Sequence, residues 1–458
     1  MSAAATPKAR RSGLRSLPLA PGPRYWTPFS FLRELRADLP GYLTALWREY
    51  GDVVCIRMGP LRSYLIARPE HVGQVLVENH RSYEKGSLFA KLKTAAGDGL
   101  LFSEGERWRR QRRWVAPAFS RSQVQGVVPV MGRVMQECLD RWAREPTVDE
   151  SFDLVPEMSR LALDMVCRAM FGSETPALAF HRRIDEAIAY ANYLITRYAT
   201  PPYWVPTRRN RAARVTIAGV HAAIRDMVES ARAQRGEGAE LLHRLMQTRD
   251  EETGAPMSER ELLDQMITLL VAGHETTAMA LSWAFYLLGQ DAEATARLRA
   301  EADSVLRDDT PTALEVMRLE FARSVVKESM RLYPPVWALP HQAVEADEIG
   351  GFRVPRKAMV TMSPWILHRH PWEQPEWFDP DRFRPERSRD RPRYAYFPFG
   401  AGGRSCVGED FALLEATLVL AMMARRFDVR SLPGQPVEPD PILTLRPRNG
   451  VPVRIAER

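Results

Sequence analysis

The chain has 458 residues, is 45% apolar and 26% charged, and carries a formal net charge of +7. That length can bury a sizeable core, and four cysteines with no close pair argue against a disulfide framework and fit a reducing compartment. The basic excess is diffuse, gathered only around Lys8–Arg15, Arg107–Arg113 and Arg382–Arg393. With no interleaved aromatics and no known reader module, it argues for solvated faces against a nucleic-acid surface. Length alone allows about three domains, yet no Gly/Ser linker, composition break or repeat supports a cut.

In chain order, residues 1–20 are expected to form a disordered tail and 21–458 one folded domain. Met1–Arg10 has no apolar core long enough for a leader or a membrane anchor, and Leu17–Pro23 is proline-rich. Cys55 lies in an alternating, strand-like run, while Cys138 and Cys167 sit in helical apolar patterns, as small buried hydrophobes do. Trp108 and Arg112 fall one helical turn apart on a shared face.

Ser258–Gln290 contains no proline and predicts one helix, opened by the capping-box pair Ser258 and Glu261 and spanning about 50 Å. Apolar residues occur on nearly all its sides between Met266 and Leu288, which predicts burial. The length would also suit a bilayer, but His274, Glu275, Thr276 and Thr277 at its centre are expensive in lipid. A helical zinc motif is excluded because the residue four after His274 is Ala278. Gly273 permits a flat cofactor or dioxygen to approach the backbone closely. Further on, Glu328 and Arg331 share a helix face that Pro334-Pro335 ends.

The most informative segment is Phe399-Gly-Ala-Gly-Gly-Arg-Ser-Cys-Val-Gly408. Its glycines let the backbone turn around Cys406, Arg404 adds positive charge, and the run from Phe411 predicts a helix just beyond. Cations and a helix N-terminus both favour a thiolate, a metal ligand and one of the few axial ligands proteins give haem iron. A dinucleotide loop is the rival, following a short aromatic strand candidate. It fails because Ser405 occupies the third glycine position, Pro398 interrupts the strand and no further βαβ pattern follows.

This decapeptide resembles the haem-binding signature F-x-x-G-x-R-x-C-x-G of the cytochrome P-450 (haem-thiolate monooxygenase) family, of soluble bacterial type. Glu328-Ser-Met-Arg331, Phe378-Asp-Pro-Asp-Arg382-Phe383, Ala272-Gly-His-Glu-Thr-Thr277 and Trp108-Arg-Arg-Gln-Arg112 resemble its other motifs, in the right order. The likeness spans roughly residues 20 to 456.

The resemblance implies a mainly α fold with a small β portion, a single large domain around a buried haem b. It makes Cys406 the iron ligand and places Phe399 and Gly273 against the cofactor. Trp108, Arg112, Arg404 and His341 would meet the propionates, His341 standing where arginine is often found. Glu275 and Thr276 inherit proton delivery to bound dioxygen, with His274 and Thr277 packing locally. Glu328, Arg331 and Arg382 become a buried network that holds the fold. Leu100, Leu101, Ala272, Val336, Trp337 and Leu339 are candidate substrate contacts, with Trp337 bulky enough to narrow the cavity.

The implied reaction is hydroxylation or epoxidation of a lipophilic small molecule with O2 and two electrons. A separate ferredoxin or flavodoxin system would supply them, docking through basic groups near Cys406 on a cytoplasmic, monomeric enzyme without a membrane anchor. A peroxide-driven hydroxylase is the alternative within this chemistry, and a haem-thiolate sensor or carrier the alternative outside it.

Overall fold

The computed structural model describes residues 14, 16–25, 38–144, 152–172, 178–197, 200–233, 240–250, 252–432 and 437–458. Most of the predicted tail lies outside them, but ordered chain begins before residue 21. Pro18 O accepts from Arg353 N–H at 2.9 Å, Ala20 O accepts from Arg57 at 2.8 Å, and Ala20 is fully buried. The chain divides into two compact units, each drawn from three stretches of sequence. This interleaving explains why no linker marks a boundary.

The first unit comprises residues 1–89, 336–377 and 389–406. Its frame is a six-stranded sheet. The strands β1 (Val53–Met58) and β2 (Leu61–Ile66) form an antiparallel hairpin with Val53 opposite Ile66. Far along the chain, β3 (Leu339–Ala343) pairs antiparallel with β4 (Met359–Met362), placing His341 opposite Val360, and β4 joins β2 in parallel. Side chains alternate between the two faces. Val53, Cys55, Tyr64 and Ile66 enter one apolar cluster with Val72, Val75 and Val360; Val54, Ile56 and Leu65 enter another with Leu43, Leu46 and Ile366. The β-branched and aromatic content of these runs suits a pleated surface buried on both sides.

The aromatic run before Gly400 is not a strand. Tyr394 has φ 66°, in the left-handed region, its ring lies against Gly73, and Pro398 has no N–H to donate.

The second unit, residues 90–335, 378–388 and 407–458, is mostly helical. Its helices include α1 (Gly105–Val115), α2 (Leu154–Phe171), α3 (Leu178–Thr196), α4 (Arg208–Ala233), α5 (Glu259–Leu288), α6 (Glu320–Leu332) and α7 (Glu409–Arg426). The predicted central helix is α5. Ser258 Oγ accepts from Glu261 N–H, and Glu261 Oε2 accepts from Ser258 N–H, closing the capping box. Helices α2, α6 and α7 pack on it, which is why its apolar residues run around the axis.

A hairpin of β5 (Pro439–Pro441) and β6 (Leu445–Pro447) crosses α5. Trp283 Nε1 donates to Leu445 O at 2.8 Å and its ring stacks on Tyr333 at 3.9 Å between centroids. Among the described residues no helix is long and apolar enough to cross a membrane.

Candidate functional site

Cys406 is the exposed one of the four cysteines; Cys55, Cys138 and Cys167 are buried, and none is in a disulfide. Burial pushes the Cys138 thiol up to about 12, the ordinary fate of a structural cysteine. The loop that carries Cys406 is tightly built. Cys406 N–H donates to Phe399 O at 2.9 Å, Gly400 N–H to Phe397 O at 3.0 Å, and Ser405 N–H to Gly402 O at 3.1 Å. Gly402 has φ +69°, and a Cβ there would meet Leu76 O at 2.3 Å. Only glycine tolerates both the conformation and the close approach. At the loop's root, the fully buried His368 accepts Phe397 N–H at its Nε2, 3.0 Å away. Nothing local in the sequence singled out His368, because its partner lies 29 residues on.

The same unit holds Arg404 and Phe399, both half-buried, and His341 on β3. Burial lowers the His341 pKa to about 4, and the charges of Lys85 and Arg404 add to the effect. Among the described residues its buried Nδ1 has no hydrogen-bond partner, while the Leu339 backbone opposes the downward shift. Trp337 packs with Trp365 against the cluster around Leu43, Leu46 and Ile366, and its carbonyl accepts from Ser363 Oγ at 2.9 Å. Val336 and Leu339 are half-buried.

In the second unit, α1 turns Trp108 and Arg112 to one half-buried face while Arg107, Arg109 and Arg113 are exposed. On α5, Ala272, Gly273 and Thr276 form a partly open patch in an otherwise buried stretch. A Cβ on Gly273 would touch only Val166 Cγ2, at 3.2 Å. Thr276 Oγ1 donates to Ala272 O at 2.7 Å, Thr277 Oγ1 to Gly273 O at 2.9 Å, and His274 Nδ1 lies 3.3 Å from Leu270 O. Each is the local back-bond common in buried helices.

Glu275 is held differently. Arg446 on β6 binds it with Nε to Oε1 at 2.7 Å and Nη2 to Oε2 at 2.9 Å, and Thr444 Oγ1 donates to Oε1 at 2.8 Å. Burial would raise its pKa, but the Arg446 hydrogen bonds and charge, with His274 and Thr444, hold it below the usual carboxylate range. Sequence reasoning missed Arg446 and Thr444; a hairpin some 170 residues from its partner leaves no spacing signal.

Glu328, Arg331 and Arg382 do come together. Arg331 donates Nε to Oε2 at 2.7 Å and Nη2 to Oε1 at 2.8 Å, Asp379 N–H reaches Oε1 at 2.9 Å, and Arg382 Nε lies 3.4 Å from it. Burial still pushes the Glu328 pKa up against these partners. Leu100 N–H donates to Gln265 Oε1 at 3.0 Å, pinning the stretch that carries Leu100 and Leu101 to α5.

These residues fit a haem. An exposed thiol on a rigid loop suits a soft axial donor, the half-buried Gly273 backbone, with no side chain of its own, suits the approach of a flat ring, and the His341 Nδ1 without a partner among the described residues suits a propionate. Comparison with known proteins agrees. The family model Cytochrome P450 matches residues 19–452. The chain is 37% identical over 419 residues, 90% of each chain, to cyclooctatin synthase of Streptomyces melanosporofaciens. It is 34% identical to cyclooctat-9-en-7-ol 5-monooxygenase of the same organism, over 91% of this chain and 92% of that one. Pentalenene oxygenase of Streptomyces avermitilis is 32% identical over 89% and 91%. The crystal structure of cytochrome P450DA heme domain superposes with a TM-score of 0.87 at 26% identity, covering 96% of this chain and 98% of that one. Matched along almost its whole length, the chain belongs to the cytochrome P450 family and is a haem b-dependent monooxygenase of mainly α fold.

Proposed function

We propose that Cys406, as thiolate, ligates haem iron in this chain, and that the natural substrate is a cyclic hydrocarbon or its alcohol. The observation that carries the ligand assignment is the setting of Cys406, exposed on a loop whose Gly402 admits no side chain. The relatives' names point to the substrate class: pentalenene is an alkene and cyclooctat-9-en-7-ol an unsaturated alcohol. Once bound, haem supplies the redox chemistry that divides dioxygen between product and water, and a thiolate ligand favours O–O cleavage.

The chain's residues do the rest. Trp108 Nε1–H, Arg112, Arg404 and His341 would hold the propionates. An anion beside His341 would oppose the effect of burial and occupy Nδ1. Phe399 and Gly273 would lie against the ring. Glu275 would take up a proton at a carboxylate oxygen on leaving Arg446, and Thr276 Oγ1, turned from Ala272 O, would pass one on. Glu328, Arg331 and Arg382 would hold the fold without touching the chemistry. Leu100, Leu101, Ala272, Val336, Leu339 and Trp337 would shape substrate choice.

Electrons would come from a separate ferredoxin or flavodoxin with its reductase. The exposed Arg389 and Arg393, in the same unit as Cys406, offer cations to such an acidic carrier. The enzyme would work as a cytoplasmic monomer, residues 21–458 acting as one haem-holding domain.

The test is the carbon-monoxide difference spectrum of the reduced protein. The thiolate-haem band is expected in the wild type and lost in Cys406→Ala; a band that survives the substitution overturns the assignment.

A further inference from the structure

The turn over residues 97–103, which carries Leu100 and Leu101, is held between two helices of the second unit. Among the described residues the buried glutamines are Gln111 on α1 and Gln265 on α5, and both reach this one turn. Gln111 is fully buried and engaged at both ends. Its Nε2 donates to Asp98 O at 2.8 Å and its Oε1 accepts from Ser103 Oγ at 2.5 Å, so one side chain spans the two ends of the turn. Only an amide offers a donor and an acceptor on separate atoms at that fixed spacing. From the other side, Gln265 Oε1 accepts Leu100 N–H at 3.0 Å and Asp264 Oδ2 accepts Asp98 N–H at 3.1 Å. A Cβ at Gly99 would strike Asp264 O at 2.4 Å, so the turn lies directly on α5.

These holds differ in strength. The Asp98 carboxylate also meets Lys93 at 2.7 Å and Arg107 of α1 at 2.9 Å, but both cations are exposed, and water and salt screen such pairs. The Gln111 amide is shut away from solvent, where a hydrogen bond is stronger and its loss costs more. Gln111 also stands three residues after Trp108 and one before Arg112. The helix that would hold the propionates is therefore the helix that fixes the turn.

We infer that Gln111 is a positioning residue for substrate: it sets Leu100 and Leu101 in place before binding and so decides how well the site takes a bulky molecule. The inference rests on the placement of those two leucines at the substrate, proposed above. A turn fixed in advance spares an incoming ligand the entropy of ordering it, and Phe102 N–H and Ser103 N–H, both on Gly99 O at 2.9 and 3.0 Å, keep it compact. Without the Gln111 clasp that ordering is deferred to the binding event.

The test is spectral titration of the haem-loaded chain with imidazole and with 4-phenylimidazole, which share the iron-binding ring and differ in bulk. Gln111→Met keeps the side-chain length and removes both hydrogen bonds; Ser103→Ala removes one. Affinity for 4-phenylimidazole is expected to fall about tenfold in Gln111→Met and about threefold in Ser103→Ala, while imidazole binds each within about twofold of the wild type. The double variant should be no weaker than Gln111→Met, because both changes break the same clasp. Hydrogen exchange of the amides in 98–103 should quicken in Gln111→Met and slow again when 4-phenylimidazole binds. Unchanged discrimination between the two azoles overturns the inference, as does an equal loss of both, which would give Gln111 a role in the fold or the cofactor alone. If Gln111→Met does not fold, Ser103→Ala decides by the same ratio. A wild type that shows no azole shift fails the haem reading itself, and this inference with it.

Discussion

Arg446 grips Glu275 through two parallel hydrogen bonds, so a buried carboxyl on the central helix is kept ionised by a residue of a distant hairpin. Arg446→Gln leaves burial unopposed and raises the Glu275 pKa. Buried Glu415, whose pKa burial pushes well up, already gives the wild type a protonated-carboxyl signal. In the infrared difference between wild type and variant at neutral pH, Arg446→Gln should add protonated-carboxyl intensity that is lost again in Arg446→Gln/Glu275→Gln. A variant without that added intensity would show that Arg446 does not set the charge.

The pairing also has a pH sign. The folded-state pKa of Glu275 lies below its ordinary value of 4.5, so the stabilisation is present above 4.5 and lost as pH falls through the folded value. Urea midpoints of the wild type and Arg446→Gln should therefore differ most above pH 5 and converge in acid.

Gly402 and Gly400 have nearly the same φ, +69° and +72°, but different surroundings. A Cβ at 400 meets only Ser405 Cα at 4.0 Å, whereas one at 402 strikes Leu76 O at 2.3 Å. Gly400→Ala should cost about 1–2 kcal/mol in left-handed strain alone. Gly402→Ala should cost more and displace the Cys406 loop. Thermal melts and haem retention of the two variants check the order; equal effects would contradict it.

Arg331 and Glu328 are both fully buried. Arg331→Met strands the carboxylate and should destabilise the chain by about 3–5 kcal/mol. Arg331→Lys should recover only part of this, since an ammonium cannot reproduce the two-armed contact. Urea midpoints at neutral pH measure both, and a neutral Arg331→Met would mean the network carries no stability.

His341 bears on acid stability before haem is bound. Its folded pKa of about 4 lies below the ordinary 6.5, so the unfolded chain takes the proton first. The apoprotein should lose about 3 kcal/mol as pH falls from 6.5 to 4. His341→Gln should flatten that slope, as read from urea midpoints across the range.

Local chemistry made much of this molecule legible before any coordinates. The capping box at Ser258 and Glu261, the uninterrupted apolar run of α5, the one-turn spacing of Trp108 and Arg112, and the glycine-flanked Cys406 each state their geometry within a few residues. The aromatic run before Gly400 is in sequence only a strand candidate, already interrupted by Pro398; the left-handed turn of Tyr394 against Gly73 is the part with no local sign.

By itself the sequence determined the elements and motifs whose interactions close within a helical turn or a tight loop. The tertiary structure decided which distant groups meet: β2 beside β4, His368 under the Cys406 loop, and Arg446 on Glu275. The reason is physical. A buried carboxylate or backbone N–H needs a partner, but many residues could supply one, and only the folded path of the chain brings a particular one within hydrogen-bond reach.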